Sequence, residues 1–302
     1  MNGNSSRTGL IVFACLAFAS VPVAAQTSGQ DSQASAQASA AGPDSRYART
    51  SYSIFRADYW LEYIEDGAKI LTSPLRWDGR DWVDAGFVGV VTGGFFLLDE
   101  EIKDFWQGDL KSGGTDEAAN IFQAFGDRAW IAPALPIAYV AGGFIRYGFK
   151  DTVEGARLQE TALLSAESFL LAAGLTEGIK RLSGRARPNQ SLDNDDFEGP
   201  GGGKSFPSGH ATHAFAIASV VASEYQHSVA IRVGAYTFAT LASLARINDN
   251  KHWASDLFLG AALGYFIGKF VYEENPFHND QGFTLLPTAS TDSVGLELAY
   301  RF

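Results

Sequence analysis

The run Ser208-Gly209-His210-Ala211-Thr212-His213-Ala214-Phe215-Ala216-Ile217-Ala218-Ser219-Val220-Val221-Ala222-Ser223-Glu224-Tyr225 is mostly apolar beyond His210 and shows no alternation of period two, so it reads as a helix and not a strand. Ser208 and Gly209 mark its amino end. Five further stretches share this character, at about 82–98, 129–145, 158–180, 229–246 and 253–272. An amphipathic piece from Tyr59 to Leu71 and a polar connector near 107–118 complete the body of the chain. The expected fold is therefore all-α, a bundle of about six core helices occupying residues 51–275.

A bilayer-spanning helix needs roughly 20 predominantly apolar residues. These stretches are shorter or interrupted, by Pro133 and Pro136, by Glu160 and Glu167, by Arg232 and by Lys269. Both a water-soluble bundle and a bundle of short membrane helices fit that pattern, and the balance leans slightly towards membrane association.

The two ends differ from the body. Arg7, an apolar run from Leu10 to about Ala19 and small residues at Val23 and Ala25 read as a secretory signal peptide over 1–25, against the alternative of an uncleaved anchor. Cys15 is the only cysteine, so a processed chain would contain neither disulfide nor thiol. Residues 26–50, rich in Gln, Ser and Ala, read as a disordered leader. In the tail, 276–302, Val294, Leu296, Leu298, Tyr300 and Phe302 alternate with other residues at period two, as in a strand. Phe283 and Leu285 begin an expected partner, with Pro287 to Ser293 as the turn region of a short hairpin.

The 302 residues, 46% of them hydrophobic, suffice for a sizeable core, and the net charge of −11 argues against a nucleic-acid partner. A few basic residues gathered in one cleft can still hold a small anion against that overall sign.

Three clusters put such residues beside helix ends. In the first, Lys180 is followed by six residues and then Arg187-Pro188, with Gly184 and Pro188 ending the helix. Alone, it is ordinary compensation of a helix dipole by cations. The second is Pro207-Ser208-Gly209-His210, where free N–H groups at a helix amino end can receive an anion and His210 can donate a proton. A serine cap with an incidental histidine is the plain alternative, set against the Gly199–Gly203 stretch, which reads as a mobile loop giving access. In the third, Arg246 is followed by five residues, His252, three residues and Asp256. A spacing of four lets the carboxylate orient one ring nitrogen and leaves the other as a nucleophile, although such a pair is usually a surface contact.

Taken together, the order and internal spacings of the clusters resemble the three-part signature of the phosphatidic acid phosphatase type 2 and vanadium haloperoxidase superfamily, over about 160–272. Ala245 departs from it, where the family generally has Ser. The resemblance implies a helical phosphatase in which His252 attacks phosphorus to form a phosphohistidine, Asp256 orients His252, and His210 protonates the leaving group. Lys180, Arg187, Ser208, Gly209 and Arg246 would bind the phosphate, with neither metal nor cofactor, because these cations and N–H groups neutralise its charge. His252 should be unprotonated while His210 holds a proton. The expected substrate is a phosphorylated lipid or small phosphate ester, in the envelope of a Gram-negative-type bacterium, at a periplasmic or periplasm-facing membrane site. Vanadate-dependent haloperoxidase chemistry and a non-catalytic envelope protein are the alternatives.

Weaker signals are Asp193, Asp195, Asp196 and Glu198, read as a solvated loop ahead of a cation site, and His213, read as helix surface or core. Glu177, Lys204 and Trp253 lie next to the motifs without a role of their own.

Overall fold

A computed structural model describes residues 57–274, 282–289 and 294–301, so the readings of 1–25, with Cys15, and of 26–50 lie outside the described residues. The helices are α1 (Ala57–Thr72), α2 (Gly79–Phe105), α3 (Gly113–Phe122), α4 (Arg128–Gly148), α5 (Thr152–Ser183), α6 (Gly209–Glu224), α7 (Val229–Asn248) and α8 (Ala254–Glu273). Strands β1 (Gly282–Ala289) and β2 (Val294–Arg301) pair antiparallel, with Phe283 opposite Tyr300 and Pro287 opposite Leu296. The fold is helical, as the six apolar stretches predict, with the terminal hairpin as its one sheet among the described residues.

One local expectation needs correction, and two details add to the reading. Within the polar connector a π-turn, Trp106–Leu110, extends α2, and α3 then begins at a capping box. In that box Ser112 Oγ accepts the Thr115 N–H and Thr115 Oγ1 accepts the Ser112 N–H. Pro133 and Pro136, which interrupt the apolar run at 129–145, lie inside α4, as the reading of that stretch as one helix expects. In the tail, Pro287 belongs to the strand and not to the turn.

Helix α6 lies at the centre. One core cluster gathers Phe95 and Ile102 of α2, Phe215 of α6 and Leu257 and Phe258 of α8. A second joins Leu163 and Leu164 of α5 to Val220 of α6 and Ile267 and Val271 of α8. Helices α6 and α8 approach closely along Gly260, Gly264 and Gly268, spaced by four on one face of α8. A Cβ on Gly264 would overlap Thr212 O and lie 2.9 Å from Ala216 N and 3.0 Å from Phe215 Cβ.

The outer faces are apolar. Gly79–Leu110, Arg128–Gly148, Thr152–Ser183 and Ala254–Glu273 are long and apolar enough to cross a membrane. Only 6% of the most apolar window in α2 and 11% of that in α4 is buried, against 61% in α8. Val83, Phe87, Val90 and Leu97 make an exposed stripe along α2, and Ile137, Val140, Phe144 and Tyr147 one along α4. Such faces suit lipid and not water, so the bundle is membrane-associated. Of the interrupting charges, Glu160 and Glu167 are buried, while Lys269 lies 3.4 Å from both Glu273 and Ser223.

Cross-helix contacts fix the polarity of the bundle. Asp99 meets Arg185 and Ser255, Lys180 meets Ser205, Gln123 meets Arg246, and Gly126 lies against His210. Helices α2, α5 and α7 therefore finish where α4, α6 and α8 begin, and all three motifs sit at that end.

Candidate active site

Helix α5 ends because Gly184 adopts a left-handed conformation, φ 61°, in which its N–H caps Lys180 O. A side chain at this position would also collide with Gly199 O. Lys180, in the last turn, is buried and donates from Nζ to Lys204 O at 2.7 Å and Ser205 O at 3.4 Å. This links the first motif to the approach of the second. Residues 199–203 do not form the free loop expected: Gly203 and Glu198 donate to Gly184 O, and Gly201 donates to Arg181 O. Backbone hydrogen bonds hold the segment against the end of α5.

Helix α6 opens at Ser208, whose side chain makes no cap hydrogen bond. Its Oγ is buried and has no hydrogen-bond partner among the described residues, and the same holds for Arg187 Nε and Arg246 Nε. Buried polar atoms are normally satisfied, so three orphans among five expected phosphate-binding residues call for an explanation. Gly209 lies beside Lys180, because a Cβ built on it would come within 3.9 Å of Lys180 Cε. The first N–H groups of α6 lack intrahelical acceptors and carry the positive end of its dipole. Arg246, in the last turn of α7, donates from Nη1 to Gln123 Oε1 at 3.2 Å and Asp249 Oδ2 at 2.9 Å.

His252 is 4% exposed, and its Nδ1 stands 3.5 Å from both Asp256 Oδ2 and Ser205 Oγ. Those separations exceed a settled hydrogen bond but fix which nitrogen faces the carboxylate, leaving Nε2 free. Burial lowers the His252 pKa to about 4, opposed by its contact with Asp256 and assisted by Lys180 and Arg246. Burial also drives His210 down, to about 2, reinforced by the charges of Arg246, His252, His213 and Lys180. Those mutual effects place the groups around one centre. Both rings are therefore neutral in the free site, so the proton expected on His210 is not held there without a counter-charge. Asp127, at the start of α4, is the nearby anion, 4.0 Å from His210 Nε2.

Sequence reasoning missed Arg185, Asp99 and Ser205. Arg185 is fully buried, donating from Nη1 to Asp256 Oδ1 at 2.7 Å and Ser255 Oγ at 2.8 Å, and from Nη2 to Asp99 Oδ2 at 2.8 Å. Ser205 Oγ donates to Asp256 Oδ2, which also accepts the Trp253 N–H at 2.8 Å. The signal for Asp99 was its place in α2, on the same face as buried Phe95 and Ile102 at spacings of four and three.

The remaining candidates are structural. His213 is buried against the edge of Phe169, with Nδ1 3.3 Å from Gly126 O. Trp253 is buried and donates from Nε1 to Ala186 O at 3.1 Å, and Glu177 pairs with Arg181 at 3.0 Å. In the acidic loop the backbone of Asn194 is held by Glu100 and receives Arg185, and no group of carboxylates and histidines suited to a metal ion occurs among the described residues.

Residues 161–279 match the PAP2 superfamily. Over 103 residues, 34% of this chain, the sequence is 37% identical to the lipid A 1-phosphatase of Porphyromonas gingivalis, and the match spans 21% of that protein's length. Among solved structures, LpxE of Aquifex aeolicus aligns over 58% of this chain and 95% of its own, with a TM-score of 0.42 and 21% identity. A transmembrane PAP2-type phosphatidylglycerolphosphate phosphatase of Bacillus subtilis aligns over 74% of this chain and 96% of its own, with a TM-score of 0.38 and 18% identity. All three motifs, from Lys180 to Asp256, fall inside the segment, residues 161–279, that matches the PAP2 superfamily.

Proposed function

We propose that the chain is a membrane phosphatase that hydrolyses a phosphate monoester carried by a lipid, through a phosphohistidine on His252. The observation that carries this reading is the set of orphaned buried donors, Ser208 Oγ, Arg187 Nε and Arg246 Nε, one from each of the three motifs, with Ser208 at the open end of α6. Three donors, two of them cationic, together with a helix amino end suit the non-bridging oxygens of a tetrahedral dianion. The lipid A 1-phosphatase relative and the apolar outer faces support a lipid carrier.

His252 Nε2 attacks phosphorus while the bond to the ester oxygen breaks. Lys180, Arg187, Arg246, Ser208 and the Gly209 N–H hold the non-bridging oxygens, which bear the charge in the transition state. His210 gives its proton to the departing alkoxide, then takes one from the water that attacks the phosphohistidine. Breaking the P–N bond releases inorganic phosphate and restores the lone pair of His252. His210 must acquire a proton first, and a substrate dianion supplies the condition: its charge offsets the cations that repel the proton, and Asp127 faces the ring. We place the site on the periplasmic side of the envelope, following the reading of 1–25 as an export signal.

The test is phosphate release from lipid A, phosphatidylglycerol phosphate and a small phosphomonoester by detergent-purified protein in chelator, against His252→Ala. Release by the parent and none by the variant is expected. Near-normal release by His252→Ala would refute the nucleophile, and vanadate-dependent halide oxidation without phosphate release would replace the whole reading.

A further inference from the structure

Behind Asp256 lies a buried ionic chain that the hydrolytic steps do not use. Asp256 Oδ1 accepts from Arg185 at 2.7 Å, and the other side of the same guanidinium donates to Asp99 at 2.8 Å. All three side chains are fully buried, and Asp99 comes from α2, outside the matched segment. The far carboxylate is itself held, since Asp99 Oδ1 accepts the Ser255 N–H at 2.9 Å and Oδ2 accepts the Ser255 hydroxyl. Ser255 Oγ in turn accepts from Arg185, closing a ring one residue before Asp256. Phe96, Phe197, Phe206 and Trp253 surround the guanidinium, so water does not screen these charges.

We infer that Arg185 and Asp99 are positioning residues that set the proton affinity of His252 by dividing the charge of Asp256 between the imidazole and the guanidinium. The proposal rests on His252 being the nucleophile. An imidazole facing an undivided buried carboxylate would bind a proton tightly and lose its lone pair. Arg185 draws charge to Oδ1, while Oδ2, the oxygen 3.5 Å from His252, also accepts the Ser205 hydroxyl and the Trp253 N–H. Asp99 limits the draw by competing for the same guanidinium. The groups that face His252 directly are Lys180 from α5, Ser205, His210 from α6, Arg246 from α7 and Asp256 from α8. Arg185 and Asp99 act on it only through Asp256, the single anion among them.

Two substitutions give shifts of opposite sign. Asp99→Asn removes the competing anion, so Arg185 satisfies Asp256 more fully and the His252 titration midpoint falls by roughly one pH unit. Asp99→Asn combined with Arg185→Met removes the ion pair as a unit, leaves the Asp256 charge to His252, and raises the midpoint by roughly one unit. The midpoint is read by NMR of 15N-histidine-labelled full-length protein in phosphate-free detergent solution, with His252 assigned by the loss of its signal in His252→Asn. A weakened scaffold gives no such sign reversal. Midpoints that stay put, or move in the same direction in both variants, overturn the proposal. If the double variant does not fold, Asp99→Asn decides alone: a fall supports the division of charge, and no change or a rise overturns it. Phosphate release by the parent, measured alongside, tests the phosphatase reading separately, because the midpoints are read without substrate.

Discussion

Replacing Gly264 by Ala tests the packing that holds the site together. The added carbon would overlap Thr212 O and lie 2.9 Å from Ala216 N and 3.0 Å from Phe215 Cβ, against ordinary carbon contacts of about 3.5–4.0 Å. Two of the three obstacles are backbone of α6, so no rotamer change relieves the clash and the helices must separate by the better part of an ångström. Overpacking of this kind costs about 1–3 kcal/mol. A loss near 2 kcal/mol lowers the melting temperature of a domain this size by roughly 4–8 °C. The kinetic effect should be larger than the thermal one. Helix α6 carries Ser208, Gly209 and His210 at its start and α8 carries Asp256 in its first turn, and a displacement of about 1 Å can cost roughly 100-fold in rate. Gly174→Ala is the control, because a Cβ there meets nothing within 4 Å and should leave stability equal or slightly higher. Detergent-solubilised variants would be compared by thermal melting and phosphate release. A Gly264→Ala protein that melts and turns over like the parent would refute the close-packing argument.

Other predictions concern charge. Burial holds His213 and His252 at about 4, below the 6.5 of the unfolded chain, so only the unfolded state takes up protons between those values. Stability is full above about 6.5 and declines as pH falls towards 4, by roughly 3 kcal/mol for each ring; denaturant titrations should show this, and His213→Asn should flatten the slope. Binding of phosphate should be accompanied by proton uptake that grows as pH falls below neutral, visible as a buffer-dependent binding enthalpy in calorimetry, and no dependence on buffer would contradict the charge-offset argument. The pH–rate profile should be bell-shaped, failing at low pH as His252 is protonated and at high pH as His210 no longer gains its proton. Asp256→Asn should leave a residual rate where His252→Ala leaves none, in single-turnover phosphate release.

The apolar helices were legible because each is a long run without alternation; the His252–Asp256 approach was legible as a spacing of four, but the turn ahead of α8 makes it, since His252 precedes the N-cap Trp253. What escaped was made by distance along the chain. Asp99 and Arg185 are 86 positions apart, and nothing in the sequence near either announces the other. Residues 199–203 looked loose by composition, yet hydrogen bonds to Gly184 and Arg181 hold them, and these depend on where α5 stops. The spacing of Gly260, Gly264 and Gly268 was there to be read, but only the closeness of α6 gives it meaning. The neutral state of both histidines in the free site could not be read at all, since it follows from burial and from the cations Arg246 and Lys180 brought near them by folding.

The shared polarity of the helix ends has a consequence for traffic across the bilayer. With every reactive group at one rim and greasy walls on α2 and α4, a lipid can present its head group while its tails stay among their neighbours. A bundle built this way serves a single leaflet, the one that meets the end where α2, α5 and α7 finish and α4, α6 and α8 begin.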